Sequence, residues 1–250
     1  MKRLLASTGL LLLLAATVAA GTMARAHRAE RPVWMPAHQP PGVTVAHYRF
    51  DGTGDHAWAD LSGKGHPLTP VRGNNATLTR VPHGDGQAVR FPPRCRKTAC
   101  PRVVLRARSS PALNPGVRPL RYGADVRLAA NRTTKGQNVL QKGFSTEGSQ
   151  YKLQIDGRSG HPSCALVAGR TIHLAVARIP VADDRWHTLE CRRERTTLTI
   201  LVDRTPQGTT RIPAALSITN NRPLSIGGKS AFGDNDQFHG ELDNIWITIG

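Results

Sequence analysis

Thr197-Leu198-Thr199-Ile200-Leu201-Val202 is the stretch that decides the fold class. Successive side chains of an extended chain point to opposite sides, so Leu198, Ile200 and Val202 share one face and the two threonines lie on the other. The preceding segment, Trp186 to Arg192, is its natural partner, with Glu194 and Arg195 near the intervening turn. Further runs of the same kind extend in both directions: Val45 to Phe50, Ala76 to Val81, Gln87 to Phe91, Arg102 to Ala107, Tyr122 to Ala129, Asn138 to Lys142, Tyr151 to Ile155, Leu224 to Ile226 and Leu242 to Ile249. Clusters of Gly, Pro, Asn and Asp separate them, the pattern of an all-β sandwich or barrel. After the N-terminal region no segment carries a long amphipathic helical stripe. Each one-sided strand must bury its apolar face, so two packed antiparallel sheets are expected. A chain of 250 residues is compatible with one such domain.

The N-terminus reads as an export signal. Lys2 and Arg3 precede an apolar run from Leu4 to Ala20, and small residues lead to Ala24-Arg25-Ala26, after which cleavage is expected. A retained anchor is the alternative, but the run is short of the roughly 20 apolar residues that cross a bilayer. Residues 27–43 are polar and proline-rich and read as a linker; residues 44–250 form the domain. The mature protein is therefore expected outside the cytoplasm, with no later membrane span. Its four cysteines, Cys95, Cys100, Cys164 and Cys191, are an even number in an exported chain, where disulfides persist. Three pairings are open. Cys95-Cys100 would close a tight basic loop, and Cys164-Cys191 would tie two candidate strands together.

The formal charge is +17; loss of residues 1–26 removes Lys2, Arg3 and Arg25 and no acid, leaving +14. Such a field favours anionic partners. Export argues against a genomic target, and no zinc-finger, RRM-like or helix-turn-helix spacing is present, so nucleic acid is not expected. From Arg94 to Arg132 the one acid is Asp125. That stretch reads either as a solvated basic surface or as a patch for acidic glycans or teichoic-type polymers.

Several short segments resemble the laminin-G-like, concanavalin-A-like jelly rolls. His47-Tyr48-Arg49-Phe50-Asp51 followed by Asp60-Leu61-Ser62-Gly63-Lys64-Gly65-His66 is similar to the opening strand and turn of those domains. Gln141-Lys142-Gly143, Gln150-Tyr151-Lys152-Leu153-Gln154, Trp186-His187, Leu201-Val202-Asp203, Ile226-Gly227-Gly228 and Phe238-His239-Gly240-Glu241-Leu242-Asp243-Asn244 follow in the same order. The resemblance covers residues 44–250. It implies a two-sheet antiparallel jelly-roll β-sandwich that recognises carbohydrate or protein, and it supports the pairing of Cys164 with Cys191.

That superfamily includes β-glucanases, whose catalytic strand reads roughly Glu-x-Asp-x-x-Glu because a retaining glycosidase needs two carboxyls about 5 Å apart. Glu241-Leu242-Asp243 supplies the first half, but the position of the second glutamate is Trp246 and no carboxylate follows Asp243. Gly228-Lys229-Ser230 lacks the first glycine of a phosphate loop, Gly143-Phe144-Ser145-Thr146-Glu147 fails as a nucleophile elbow, and the ten histidines form no H-E-x-x-H pair. No active site is expected. A structural Ca²⁺ is the one cofactor considered. Asp243 is in register with Ile245, Ile247 and Ile249, which would turn it toward the core, where a carboxylate needs a cation or donors. Asp51 and Asp60 could join it in an oxygen cage. Alternatively, Asp60 makes an Asx-turn and Asp243 pairs with an arginine. The chain has 12 Phe, Trp and Tyr residues, and Tyr151 and Trp186 are read as core. The expectation is a secreted, non-catalytic binding module for an extracellular polysaccharide, or alternatively for a cell-surface protein, with its ligand-binding residues not assigned.

Overall fold

The structure, a computed structural model, describes residues 42–233 and 235–250. The expected export signal, 1–26, lies outside the described residues, as does all of the 27–43 linker except its last two positions. Val43 already belongs to the first strand. All described residues fall within one compact unit, Pro40–Gly250.

Among them fifteen strands run in order: β1 Val43–Tyr48, β2 Thr69–Gly73, β3 Thr79–His83, β4 Gly86–Arg90, β5 Arg102–Ala107, β6 Leu120–Arg127, β7 Gly136–Phe144, β8 Ser149–Asp156, β9 His161–Ala168, β10 Thr171–Val176, β11 Trp186–Glu194, β12 Thr197–Val202, β13 Thr205–Arg211, β14 Leu224–Ile226 and β15 Glu241–Ile249. They form two antiparallel sheets. One has the order β13-β12-β11-β6-β15-β4-β3, with β1 added to β15; the other has the order β10-β9-β8-β7-β14-β5-β2. The hairpin expected at the outset forms, with Cys191 opposite Ile200 and Arg193 opposite Leu198. Its turn uses Arg195 in the left-handed region, φ 46°. The architecture is the expected jelly-roll sandwich.

The core is the layer between the sheets. Ala124, Val126, Leu189, Leu198, Ile200, Ile245 and Ile247 from one sheet meet Leu105, Leu140, Leu153, Leu166, Leu224 and Ile226 from the other. Burying each such side chain is worth about 1.5–3 kcal/mol. Tyr48, Tyr122 and Tyr151 are fully buried there, and each phenol donates to a backbone carbonyl, of His66, Lys152 and Leu113 respectively. Burial pushes all three phenols well above their ordinary value. Tyr151 is thus core, as expected.

Both disulfides form as paired above. Cys95–Cys100 closes a loop of sequence separation 5, and Cys164–Cys191, of separation 27, joins β9 of one sheet to β11 of the other across the core. Bridging a longer loop removes more freedom from the unfolded chain. The double variant Cys164→Ala/Cys191→Ala should lose about 3 kcal/mol in urea unfolding, and Cys95→Ala/Cys100→Ala clearly less. Equal losses would show that the inter-sheet bridge has no special weight.

Candidate functional site

Strand alternation sends one set of side chains from the seven-stranded sheet away from the core. On β7, β14, β8 and β9 that set includes Asn138, Gln141, Ser225, Lys152, Gln154 and Ser163, since Leu140, Leu153, Leu224 and Cys164 point inward. Outward side chains of a sheet are ordinarily wet, yet Asn138, Gln141, Ser163 and Ser225 are each no more than 3% exposed. They are neutral hydrogen-bonding groups. Asn138 Nδ2 donates to Gln141 Oε1 at 2.7 Å, and Gln141 Nε2 donates to the Gly143 carbonyl at 2.8 Å. Gln154 Nε2 donates to Asp156 Oδ2 at 3.0 Å, and the Ser163 hydroxyl donates to the same oxygen. Arg106, opposite Ser225 on β5, reaches the Lys229 carbonyl at 3.0 Å. Two buried polar atoms on this face, Asn138 Oδ1 and Arg106 Nε, have no hydrogen-bond partner. Leaving such a group unpaired costs about 1–3 kcal/mol, so the face is chemically unfinished. Asp236 lies above it, with Lys229 Nζ at 2.7 Å and Lys152 Nζ at 3.6 Å from the same oxygen, Oδ2.

The outward face of the eight-stranded sheet holds the carboxylates singled out in the sequence. The expected inward orientation of Asp243 is not what the structure has. A β-bulge between Asp243 and Trp246, with Asn244 at φ 44°, inserts one residue, so Leu242 and Ile245 both face the core while Asp243 turns outward opposite Asp125 of β6. It is still buried. Its Oδ2 lies 2.7 Å from His83 Nδ1, and its Oδ1 accepts from the Asn244 N–H at 2.7 Å. Burial raises its carboxyl above the ordinary value, against the pull of His83. The partner is thus a histidine, not the arginine considered earlier. Glu241 shares that face and is held by Arg90 Nη2 at 2.7 Å and Arg127 Nη1 at 3.7 Å. Trp246 follows on the same side, with the Arg121 guanidinium 5.7 Å from its ring. Trp186, expected in the core, is half-buried and stacks on His83 at 3.8 Å, because its opposite number on β6 is the outward Arg127.

A family model described as "Laminin G domain" matches residues 132–248. Over that stretch the chain is similar to laminin G domains. Domain 4 of AbnA, an extracellular GH43 arabinanase of Geobacillus stearothermophilus solved with arabinotriose, superposes on this chain with a TM-score of 0.63 and 14% identity, covering 84% of this chain and 94% of that one. The binding domain of Paraclostridial Mosquitocidal Protein 1 gives a TM-score of 0.61 at 12% identity, covering 82% of this chain and 48% of its own. The binding domain of Botulinum neurotoxin DC, solved with rat synaptotagmin II, gives 0.61 at 8% identity with the same coverage. This chain therefore spans about half the length of the two toxin binding domains. At these identities the likeness establishes the fold. No curated protein matches the sequence.

Asp51, Asp60 and Asp243, expected to hold a Ca²⁺, do not form a shared oxygen cage. Asp60 spends both oxygens on local donors: the N–H groups of His47, Ser62 and His66 and the Ser62 hydroxyl, at 2.9–3.0 Å. It makes the Asx-turn. Asp51 accepts from the Gln87 N–H at 2.8 Å and pairs with Arg49 at 3.3 Å. Beside it the carbonyls of Phe50 and Asp51 converge on Arg80 Nη2, at 2.9 and 3.1 Å, so a guanidinium already supplies positive charge there. Among the described residues no group of three or more His, Cys, Asp or Glu could hold a metal ion. EDTA should therefore leave the melting temperature unchanged; a fall that added Ca²⁺ reverses would reveal an ion that these residues do not provide for.

For Asp60, burial on its own would raise the carboxyl, but the donors from Ser62, His66 and His47 outweigh it and hold the value below that of an ordinary aspartate. The stabilisation is thus complete above the unfolded value of about 4 and is lost as pH falls through the lower folded one. Asp60→Asn should cost about 2 kcal/mol near neutrality, with the gap to the parent protein closing in acid. A gap independent of pH would mean that Asp60 acts through packing alone.

Proposed function

We propose that this protein is a secreted, non-catalytic module that binds extracellular carbohydrate on the outward face of its seven-stranded sheet. The observation that carries the reading is the buried row of neutral amides and hydroxyls, Asn138, Gln141, Ser163 and Ser225, two of whose neighbouring polar atoms lack partners. Sugar hydroxyls donate and accept at once, which is what such a surface can complete. The arabinanase domain, solved with arabinotriose, supports the reading because its fold spans most of both chains. Two disulfides and the sequence of residues 1–26 support export. The non-catalytic reading is supported by the pairing of Glu241 with Arg90 and Arg127, and by a tryptophan at position 246 where a glycosidase of this kind needs its second carboxylate.

One observation favours the adhesion alternative, a cell-surface protein partner. On β10 the alternating Ile172, Leu174 and Val176 are 58%, 42% and 42% exposed. That row could meet an apolar partner surface. A glycan array separates the two readings. The carbohydrate reading expects binding to at least one polysaccharide class, lost in Asn138→Ala and Gln141→Ala proteins that melt cooperatively, with no release of reducing sugar. Silence across neutral and acidic glycans would sink it in favour of a protein target.

A further inference from the structure

At one end of β7, next to the polar face, lies a cavity of about 290 Å³ between the Cys95–Cys100 loop and the segment that carries Asp236 and His239. Its volume is near the lower limit for a small-molecule pocket, room for about one sugar ring. Arg102, at the start of β5, and Lys135, just before β7, contribute its cations. Neither takes part in an ion pair or a side-chain hydrogen bond among the described residues, whereas most other charged side chains of the site are already matched. The one carboxylate in the described lining, Asp236, has Lys229 and Lys152 on the same oxygen, so it does not neutralise the cavity. His239 points the same way. Its Nδ1–H donates to the Pro92 carbonyl at 2.9 Å, and burial together with the nearby charges of Arg94 and Arg132 lowers its basicity. The disulfide closes the loop between Arg94 and Arg102. The described lining carries more cations than carboxylates.

We propose that this cavity is a subsite for one acidic sugar residue, whose carboxylate or sulfate ester is taken by Arg102 and Lys135 while the rest of the chain runs onto the Asn138–Gln141 face. Arginine's planar fork matches either anion, and lysine adds a point charge. The assignment rests on the carbohydrate reading above and narrows it to acidic polysaccharides. The basic stretch from Arg94 to Arg132 thereby acquires a role at Arg102, and Lys135 lies just beyond it.

Isothermal titration of the purified protein with trigalacturonate, its neutral methyl ester and a heparin-derived tetrasaccharide tests this. At least one acidic probe should bind about tenfold more tightly than the ester, with an affinity that falls as salt rises. Tighter binding of either acid supports the subsite and says which anion it prefers. Arg102→Ala/Lys135→Ala should bring the acidic probe down to the level of the ester, and Lys135→Ala, at an exposed position, should do part of this without moving the melting temperature. Equal binding of acid and ester, or unchanged affinity in the double variant, overturns the subsite while leaving the carbohydrate reading intact. If no sugar binds, charged or neutral, both fall.

Discussion

The dry layer between the two sheets determines what every other side chain is free to do. Inward positions must be apolar or, like Tyr48, Tyr122 and Tyr151, must find a carbonyl for their one polar atom. Two cations obey the same rule. Lys142 faces inward, opposite Tyr151, and reaches the Asn220 carbonyl at 2.8 Å and its Oδ1 at 3.0 Å, with burial lowering its pKa to about 8. Arg193, opposite Leu120, spends its guanidinium on the Gly116 and Leu216 carbonyls. With the interior closed in this way, recognition is left to the outward faces and the loops at their ends.

Those two faces have solved the same problem differently. On the eight-stranded sheet, charges are matched pair by pair: Glu241 with Arg90 and Arg127, Glu190 with Arg121 and Arg192, Asp243 with His83. Such a surface has little left to offer a ligand. On the seven-stranded sheet a row of neutral side chains is sunk, and two buried polar atoms there lack partners. A finished surface and an unfinished one stand back to back on a single core.

Alternation makes most of this legible in the amino-acid sequence. The strands found by period two, such as β5 and β12, fall where the pattern of apolar residues puts them, and the inter-sheet cysteine pair is the one that the resemblance supports. The strands that escape have physical reasons. β2, β9 and β13 each contain a proline, which reads as a breaker, and β13 also has Gly208 close against the Val176 carbonyl. β10 does alternate, but its bulky Ile172, Leu174 and Val176 face away from the core while Ala175 faces in, so its pattern is inverted. The candidate face is partly visible, since Gln141 and Ser225 interrupt apolar runs on strands that the pattern identifies. Its burial is not, because period two says which side a residue faces and not what covers that side. The expectation for Asp243 fails because a bulge leaves no trace in a two-residue period.

That bulge also gives β15 two phases, with Glu241 and Asp243 on one side of Asn244 and the isoleucines on the other. The strand can tolerate neither the loss nor the gain of a residue near 244. Deleting Asn244 would not merely shorten the chain; it would swap inside for outside along half the strand, driving either two carboxylates or three isoleucines to the wrong side. Length at this point is therefore under as tight a constraint as identity in the core, and lineages of this domain should vary in the residue at 244 long before they vary in the spacing across it.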